Sequence, residues 1–258
     1  MLNGSIAHLL KYLRINLCIF CAFMALSGYL MFNLPSGKMI FVILSAFLVC
    51  AGTYSFNNIT DKKEDAANGK SENPFTSVFE GKVISVAALL LGGILSAHLS
   101  SASFMFYISS AASGIVYSYL RIKKYLFIKN IYTGFGVMQA FLIGAAATSL
   151  TFEAVLYYVA LSFFIMILSM ISDIRDYKGD KAAGIRTVPV CFGYAAAKAL
   201  ILSLLVAYFV LILAALPKLT VMLPFSAITL LLMHRDNARR AHFFGSLSFV
   251  FLTAWLLI

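Results

Sequence analysis

The sequence predicts an all-α fold: a multi-pass membrane protein whose nine transmembrane helices form a single bundle, with a pseudo-repeat of two Asp-rich loops. Three observations carry that reading. Of 258 residues, 62% are hydrophobic and only 12% are charged, about half the charged fraction of soluble domains. The apolar residues gather into runs that approach the roughly 20 helical residues a bilayer core requires. No strand alternation interrupts them, and in lipid only helices or closed barrels satisfy every backbone group. No soluble segment or long linker is visible, so residues 1–258 read as a single domain.

The runs fall at residues 15–33, 39–57, 82–99, 101–120, 130–150, 153–172, 195–216, 219–233 and 243–258. The first is too long for a signal peptide and lacks its small-residue cleavage pattern, so it is expected to stay as the first span. The eighth and ninth are short, which tilt or a locally thinned bilayer accommodates, and Pro224 is a candidate bend in the eighth. Cys18 and Cys21 have metal-like spacing, but they lie inside the first run with no second pair nearby. They read as packing residues.

A formal charge of +10 raises a nucleic-acid partner as a possibility, and the placement of the charges excludes it. They sit at helix ends. With the N-terminus on one side, that segment and the loops after spans two, four, six and eight carry 18 of the 20 Lys and Arg. The positive-inside rule then puts the N-terminus and those loops in the cytoplasm of a cell-membrane protein. Nine of the ten acids share that side, Glu153 being the exception. The rule does not require this, so the acids need another cause.

Eight acids lie within residues 61–80 and 173–180, in two hydrophilic islands: "NNITDKKEDAANGKSENPF" after the second run and "SDIRDYKGDKAAGIRTVPV" after the sixth. Asn58, Asp61 and Asp65 stand at i, i+3 and i+7, and Asp173, Asp176 and Asp180 repeat this 115 residues later, as Gly184 repeats Gly69 and Pro189 repeats Pro74. Such matches at one offset indicate an internal repeat. If the spans continue helically through the motifs, each set of polar groups forms one stripe. Two facing carboxylate stripes repel each other and need a cation. Mg²⁺ fits, because it takes one or two carboxylates, keeps waters and completes its shell with phosphate oxygens. Asn57 or Asn58 is placed to supply a neutral oxygen. Glu64, Glu72 and Glu80 stand off the stripe and read as solvated.

At these residues the chain resembles the UbiA superfamily of intramembrane prenyltransferases. "NNITDKKED" is similar to the family's first motif, N-D-x-x-D-x-x-x-D, with Asn58 in place of its first Asp. "DIRDYKGDKAAGIRTVPV" matches the second, D-x-x-D-x-x-x-D followed by G-x-x-T-x-P. A third piece, "YSYLRIKKYLFIKN" at 117–130, resembles the family's Y-x-x-x-K. Two registers stay open there: Tyr117 with Arg121, or Tyr119 with Lys123. The family often has Asn-Arg-Pro after the first motif, whereas this chain has Glu72-Asn73-Pro74, and Lys70 is the candidate substitute for the missing basic group.

The resemblance implies Mg²⁺-dependent transfer of a prenyl group from a polyprenyl diphosphate to a hydrophobic acceptor within the membrane. Mg²⁺ would be held by Asp61, Asp65, Asp176 and Asp180, with Asn58 and Asp173 in support. Arg121, Lys123, Lys181 and Arg186 are candidates to bind diphosphate oxygens. Tyr117, Tyr119 or phenylalanines of the spans would stabilise the allylic cation left when diphosphate departs. Arg14 and Asn16, at the start of the first span, would position the acceptor. Acceptors across the family run from aromatic acids and quinone precursors to isoprenoid lipids such as geranylgeranylglyceryl phosphate. Acceptor, prenyl chain length and oligomeric state carry no signature in the sequence.

Two rival readings have their own marks. A lyase or terpene cyclase on the same scaffold would release diphosphate with no acceptor. A transporter also shows repeats and intramembrane acids, but its sites lie near the midplane, whereas these acids flank loops on one side.

Overall fold

The computed structural model describes residues 2–62, 73–76, 79–182 and 184–258, without the side chains of residues 2–5 and Lys123. Every regular element among them is helical. Helix α1 spans Leu2–Leu13, α2 Ile15–Phe32, α3 Lys38–Thr60, α4 Phe79–Leu99 and α5 Ser101–Tyr119. A 3₁₀ turn at Ile122–Lys124 leads to α6, Ile128–Val137, then α7, Gln139–Ala145, and α8, Phe152–Arg175. Short α9 (Tyr177–Ala182) and α10 (Val188–Phe192) precede α11 (Tyr194–Ala215), and a 3₁₀ stretch at Pro217–Met222 precedes α12 (Leu223–His234) and α13 (Ala238–Leu256). Among the described residues, six helical stretches are long and apolar enough to cross a membrane: α2, α3, α4, α8, α11 and Pro217–His234. The chain is a multi-pass membrane protein.

Helix covers most of every apolar run, with three differences of detail. The fifth run is two helices, interrupted at Met138, just after Gly134 and Gly136, which weaken a helix interior. Pro224 sits at the start of α12 and begins that helix rather than bending it, because the amide it lacks has no intrahelical partner there. The last helix begins at Ala238, capped by the Asn237 side chain, which accepts from the Arg240 amide. It therefore includes the basic turn that precedes the apolar run.

The chain packs as two compact units. The first comprises Met1–Arg121 and Gln139–Ala154. Within it α3 lies against α2, α4 and α5, and α7 packs on α2 and α5. Small residues let these backbones approach, which is how helices associate where lipid offers no hydrophobic contrast. Polar side chains then tie the helices: the Ser103 hydroxyl donates to the Ile143 carbonyl (2.6 Å), and Tyr107 donates to the Leu89 carbonyl (2.6 Å). The end of α7 is closed in the same way. Asn33 Nδ2 donates to the carbonyls of Gly144 (3.4 Å) and Ala145 (3.3 Å), Ser100 donates to that of Ala146 (2.6 Å), and Thr148 donates to Asn33 Oδ1.

The second unit comprises Ile122–Met138 and Val155–Ile258. Phe164 of α8 stacks on Tyr208 of α11, with ring centroids 4.6 Å apart and planes 9° apart, and it also meets Phe249 of α13. A Cβ on Gly134 would lie 2.4 Å from the Ser162 carbonyl oxygen, so α6 runs with its backbone close against α8. The register of that pair sets the charged residues at one end. The loop after α12 is tied to the start of α11, where Lys198 Nζ donates to Asp236 Oδ1 (2.7 Å) and to the His234 carbonyl (2.8 Å). That ion pair holds the exposed Asp236 carboxyl below its ordinary range.

Candidate active site

In the first unit, α3 continues through Asn57 and Asn58, and the Asp61 amide still donates to the Asn57 carbonyl (2.9 Å). The stripe expected of the first motif therefore forms as far as Asp61. Asp65 and Lys70 lie outside the described residues. Asn57 is held from both sides: its Oδ1 accepts from the Ser118 hydroxyl (3.0 Å), and its Nδ2 donates to Asp61 Oδ2 (3.1 Å). That bond orients the Asp61 carboxylate.

Asn58 faces α1. Its Nδ2 donates to the Tyr12 carbonyl (2.7 Å), and its Oδ1 accepts from Arg14 Nη2 (3.1 Å). Arg14 itself has φ 51°, the left-handed residue at the break between α1 and α2, and its guanidinium lies 5.3 Å from the centroid of the Tyr54 ring. Asn16 is exposed in the first turn of α2. Asn58 is thus a strut that fixes the α1–α2 corner to α3. Asn58→Ala should lower the stability of the purified chain by about 2 kcal/mol, since it removes two partners, one of them charged; thermal unfolding in detergent measures this.

The segment after α5 turns sharply at Arg121, φ 52°. Tyr117 is half-buried, whereas the Tyr119 side chain is 77% exposed. Lys123 lies in the 3₁₀ turn, and its side chain is outside the description.

In the second unit the motif also keeps helical hydrogen bonding across the junction of α8 and α9. The Asp176 amide donates to the Ser172 carbonyl (2.9 Å) and the Asp180 amide to the Asp176 carbonyl (2.9 Å). Asp173, Asp176 and Asp180 therefore share one face, as the i, i+3, i+7 spacing requires. Gly184 then ends α9 with φ 66°, a conformation that suits glycine, and the Ile185 amide reaches back to the Asp180 carbonyl (2.9 Å). Lys181 and Arg186 are exposed on either side of this turn.

The three aspartates differ in environment. Asp173 is buried, with Oδ1 2.5 Å from Lys129 Nζ and Oδ2 accepting from Asn130 Nδ2 (2.9 Å). Asp176 is paired with Arg175, which donates to both of its oxygens at 2.8 and 2.7 Å; this neighbour holds its carboxyl below the ordinary range. Burial pushes the Asp180 carboxyl up, and the charges of Asp173 and Asp176 add to this while Lys129 opposes it. Lys129, Asn130 and Arg175 are the residues that sequence reasoning missed. No local pattern singles out Lys129, which stands immediately before the fifth apolar run as Asp173 stands immediately after the sixth.

Among the described residues no three His, Cys, Asp or Glu side chains gather closely enough to enclose an ion by themselves. A hard divalent ion does not need that, since waters and phosphate oxygens complete its shell. The second motif brings Asp173, Asp176 and Asp180, hard oxygen donors, to one face, and among the described residues no cluster of cysteines or histidines offers a softer ion a site. The donor chemistry fits Mg²⁺.

Residues 16–256 match the model of the UbiA prenyltransferase family. The chain is 27% identical, over 194 residues, to the digeranylgeranylglyceryl phosphate synthase of Methanocaldococcus jannaschii, covering 71% of this chain and 67% of that one. Its fold is similar to that of a solved structure reported for digeranylgeranylglyceryl phosphate synthase in membranes, with a TM-score of 0.76 and 23% identity over 98% of both chains. It is also similar to a UbiA homologue from Archaeoglobus fulgidus bound to GPP and Mg²⁺, with a TM-score of 0.70 and 19% identity over 97% of this chain and 100% of that one. With helices in the order the motifs require and a family match that runs through nearly the whole sequence, the chain belongs to the UbiA prenyltransferase family.

Proposed function

We propose that this prenyltransferase moves a geranylgeranyl group from its diphosphate to geranylgeranylglyceryl phosphate, using Mg²⁺ held by the aspartates of both motifs. The observation that carries the reading is the second aspartate cluster, which unbroken helical hydrogen bonding sets on one face. Similarity to digeranylgeranylglyceryl phosphate synthases supports the acceptor, and the GPP and Mg²⁺ bound to the Archaeoglobus fulgidus homologue support the donor class and the metal. In this reading the nine apolar runs are nine spans of one domain. The N-terminus and the motif loops lie on the cytoplasmic side, where most Lys and Arg gather.

Bound Mg²⁺ neutralises the charge that builds on the departing diphosphate. The residues do the rest. Asp61, Asp65, Asp176 and Asp180 hold the metal, and Asn57 and Asn58 keep the first motif in register. Arg121, Lys123, Lys181, Arg186 and Lys70 bind diphosphate oxygens. Tyr117, the half-buried tyrosine, stands by the allylic cation, and the exposed Tyr119 lies nearer the headgroups. Arg14 and Asn16 orient the acceptor, whose hydroxyl attacks C1 of the prenyl chain, loses its proton and becomes the ether oxygen. The apolar helices exclude water that would otherwise capture the cation.

The test is incubation of the purified chain with geranylgeranyl diphosphate and a panel of acceptors, read by mass spectrometry. Digeranylgeranylglyceryl phosphate should form with Mg²⁺ and cease with EDTA. A terpene hydrocarbon made without acceptor would instead favour cyclisation, and a prenylated aromatic would replace the lipid acceptor.

A further inference from the structure

Lys129 stands among the aspartates of the second motif, and neither the spacing of that motif nor the positive-inside distribution gives it a task there. Its position is built by tertiary packing. Gly134 lets α6 run against α8. One turn earlier Asn130 bridges Ser169 Oγ (3.0 Å) and Asp173 Oδ2 (2.9 Å), and Lys129 closes on Asp173 Oδ1 at 2.5 Å. Asp173 is 2% exposed and Lys129 23% exposed, so the carboxylate is enclosed while the ammonium remains at the rim of the cluster. Both oxygens of Asp173 are engaged by side chains of a neighbouring helix.

We propose that Lys129 is a built-in counter-cation of the second aspartate cluster, a positioning residue that binds the enclosed Asp173 permanently, whereas Asp176, whose pair with Arg175 is solvent-exposed and exchangeable, and Asp180 remain for the metal. The inference rests on the Mg²⁺-diphosphate reading given above and adds to it a division of labour. Three carboxylates on one helical face attract divalent ions strongly enough to hold them between turnovers. A fixed ammonium beside the first removes one of those charges without occupying the metal's place, and its field also reaches Asp176 and Asp180. The cluster then binds its ion less tightly than three uncompensated carboxylates would. Burial makes the pair durable, because separating it would strand an unpaired carboxylate.

The experiment counts and weighs Mn²⁺ on the full-length chain in detergent, by electron paramagnetic resonance of the free ion, with no substrate turning over. Asp173→Asn should keep the wild-type number of bound Mn²⁺ at saturation but bind it about tenfold more weakly, since the Lys129 charge is then uncompensated beside the dication. Lys129→Met should bind Mn²⁺ about tenfold more tightly or more, since a positive charge has left the neighbourhood of a dication, and Lys129→Arg should behave as wild type. Loss of a bound ion in Asp173→Asn would make Asp173 a metal ligand, and unchanged affinity in Lys129→Met would make Lys129 merely structural; either overturns the proposal. If Lys129→Met alone does not fold, the double variant Lys129→Met, Asp173→Asn removes both partners of the pair. Wild-type Mn²⁺ number in that variant supports the proposal, and loss of an ion overturns it. A wild-type chain that binds no Mn²⁺ would overturn the functional reading itself, and the inference with it.

Discussion

Asp180→Asn should leave the chain folded and cut Mg²⁺-dependent turnover about 10³-fold or more. The size follows from the task assigned to the side chain. Stabilising the charge on a departing diphosphate is worth several kcal/mol to a metal-assisted reaction, and roughly 4 kcal/mol of barrier is a factor of 10³ in rate. The effect on stability has the opposite tendency. Burial and two neighbouring acids push the Asp180 carboxyl up, so its charge strains the folded state and a neutral isostere relieves it. Thermal unfolding should therefore be unchanged or shifted upward while single-turnover transfer collapses, the usual signature of a group kept for function against stability. Turnover within about threefold of wild type, a change of under 1 kcal/mol in barrier, would remove Asp180 from the metal site.

The second large effect belongs to the crossing of α2 and α7. A Cβ on Gly144 would lie 1.8 Å from the Ala25 carbonyl oxygen, and one on Gly28 would lie 2.1 Å from that of Phe141. Neither neighbour is a side chain that can swing away. The two backbones would have to part, loosening Ala25, Phe141 and Ile143, all fully buried. Gly144→Leu should cost about 3 kcal/mol or more, at or above the usual range for overpacking, and leave the purified protein aggregated on size exclusion. Gly37→Ala is the control: its backbone has φ −57° and a Cβ there meets nothing within 4 Å, so elution and melting should match wild type.

The spans were legible because apolar length is a one-dimensional property. The second aspartate stripe was legible for a similar reason, since i, i+3 and i+7 lie on one face whenever the chain stays helical, as it does from Ser172 to Asp180. What escaped depends on residues far apart in sequence. Lys129 and Asp173 are 44 positions apart, and the positive-inside rule already accounted for a lysine at that boundary, so nothing marked it as special. Asn58 was expected beside a metal; its described partners are the Tyr12 carbonyl and Arg14 of the α1–α2 corner, which no local pattern announces. The interruption at Met138 was hidden because apolar residues continue on both sides of it. The tyrosine register was open in sequence because both spacings place a cation four residues on, while burial distinguishes Tyr117 from Tyr119.

The closure of α7 by Asn33 and Ser100 also limits what the chain can become. Buried carbonyls left without a donor cost about 1–3 kcal/mol each, so the end of α7 at Ala145 depends on those donors meeting its last turn. Inserting or deleting a single residue between Gln139 and Ala145 would rotate the acceptors by about 100°, out of reach of both donors. Exposed loops can drift in length through evolution, but here two fixed donors would select against insertions and deletions in the gene.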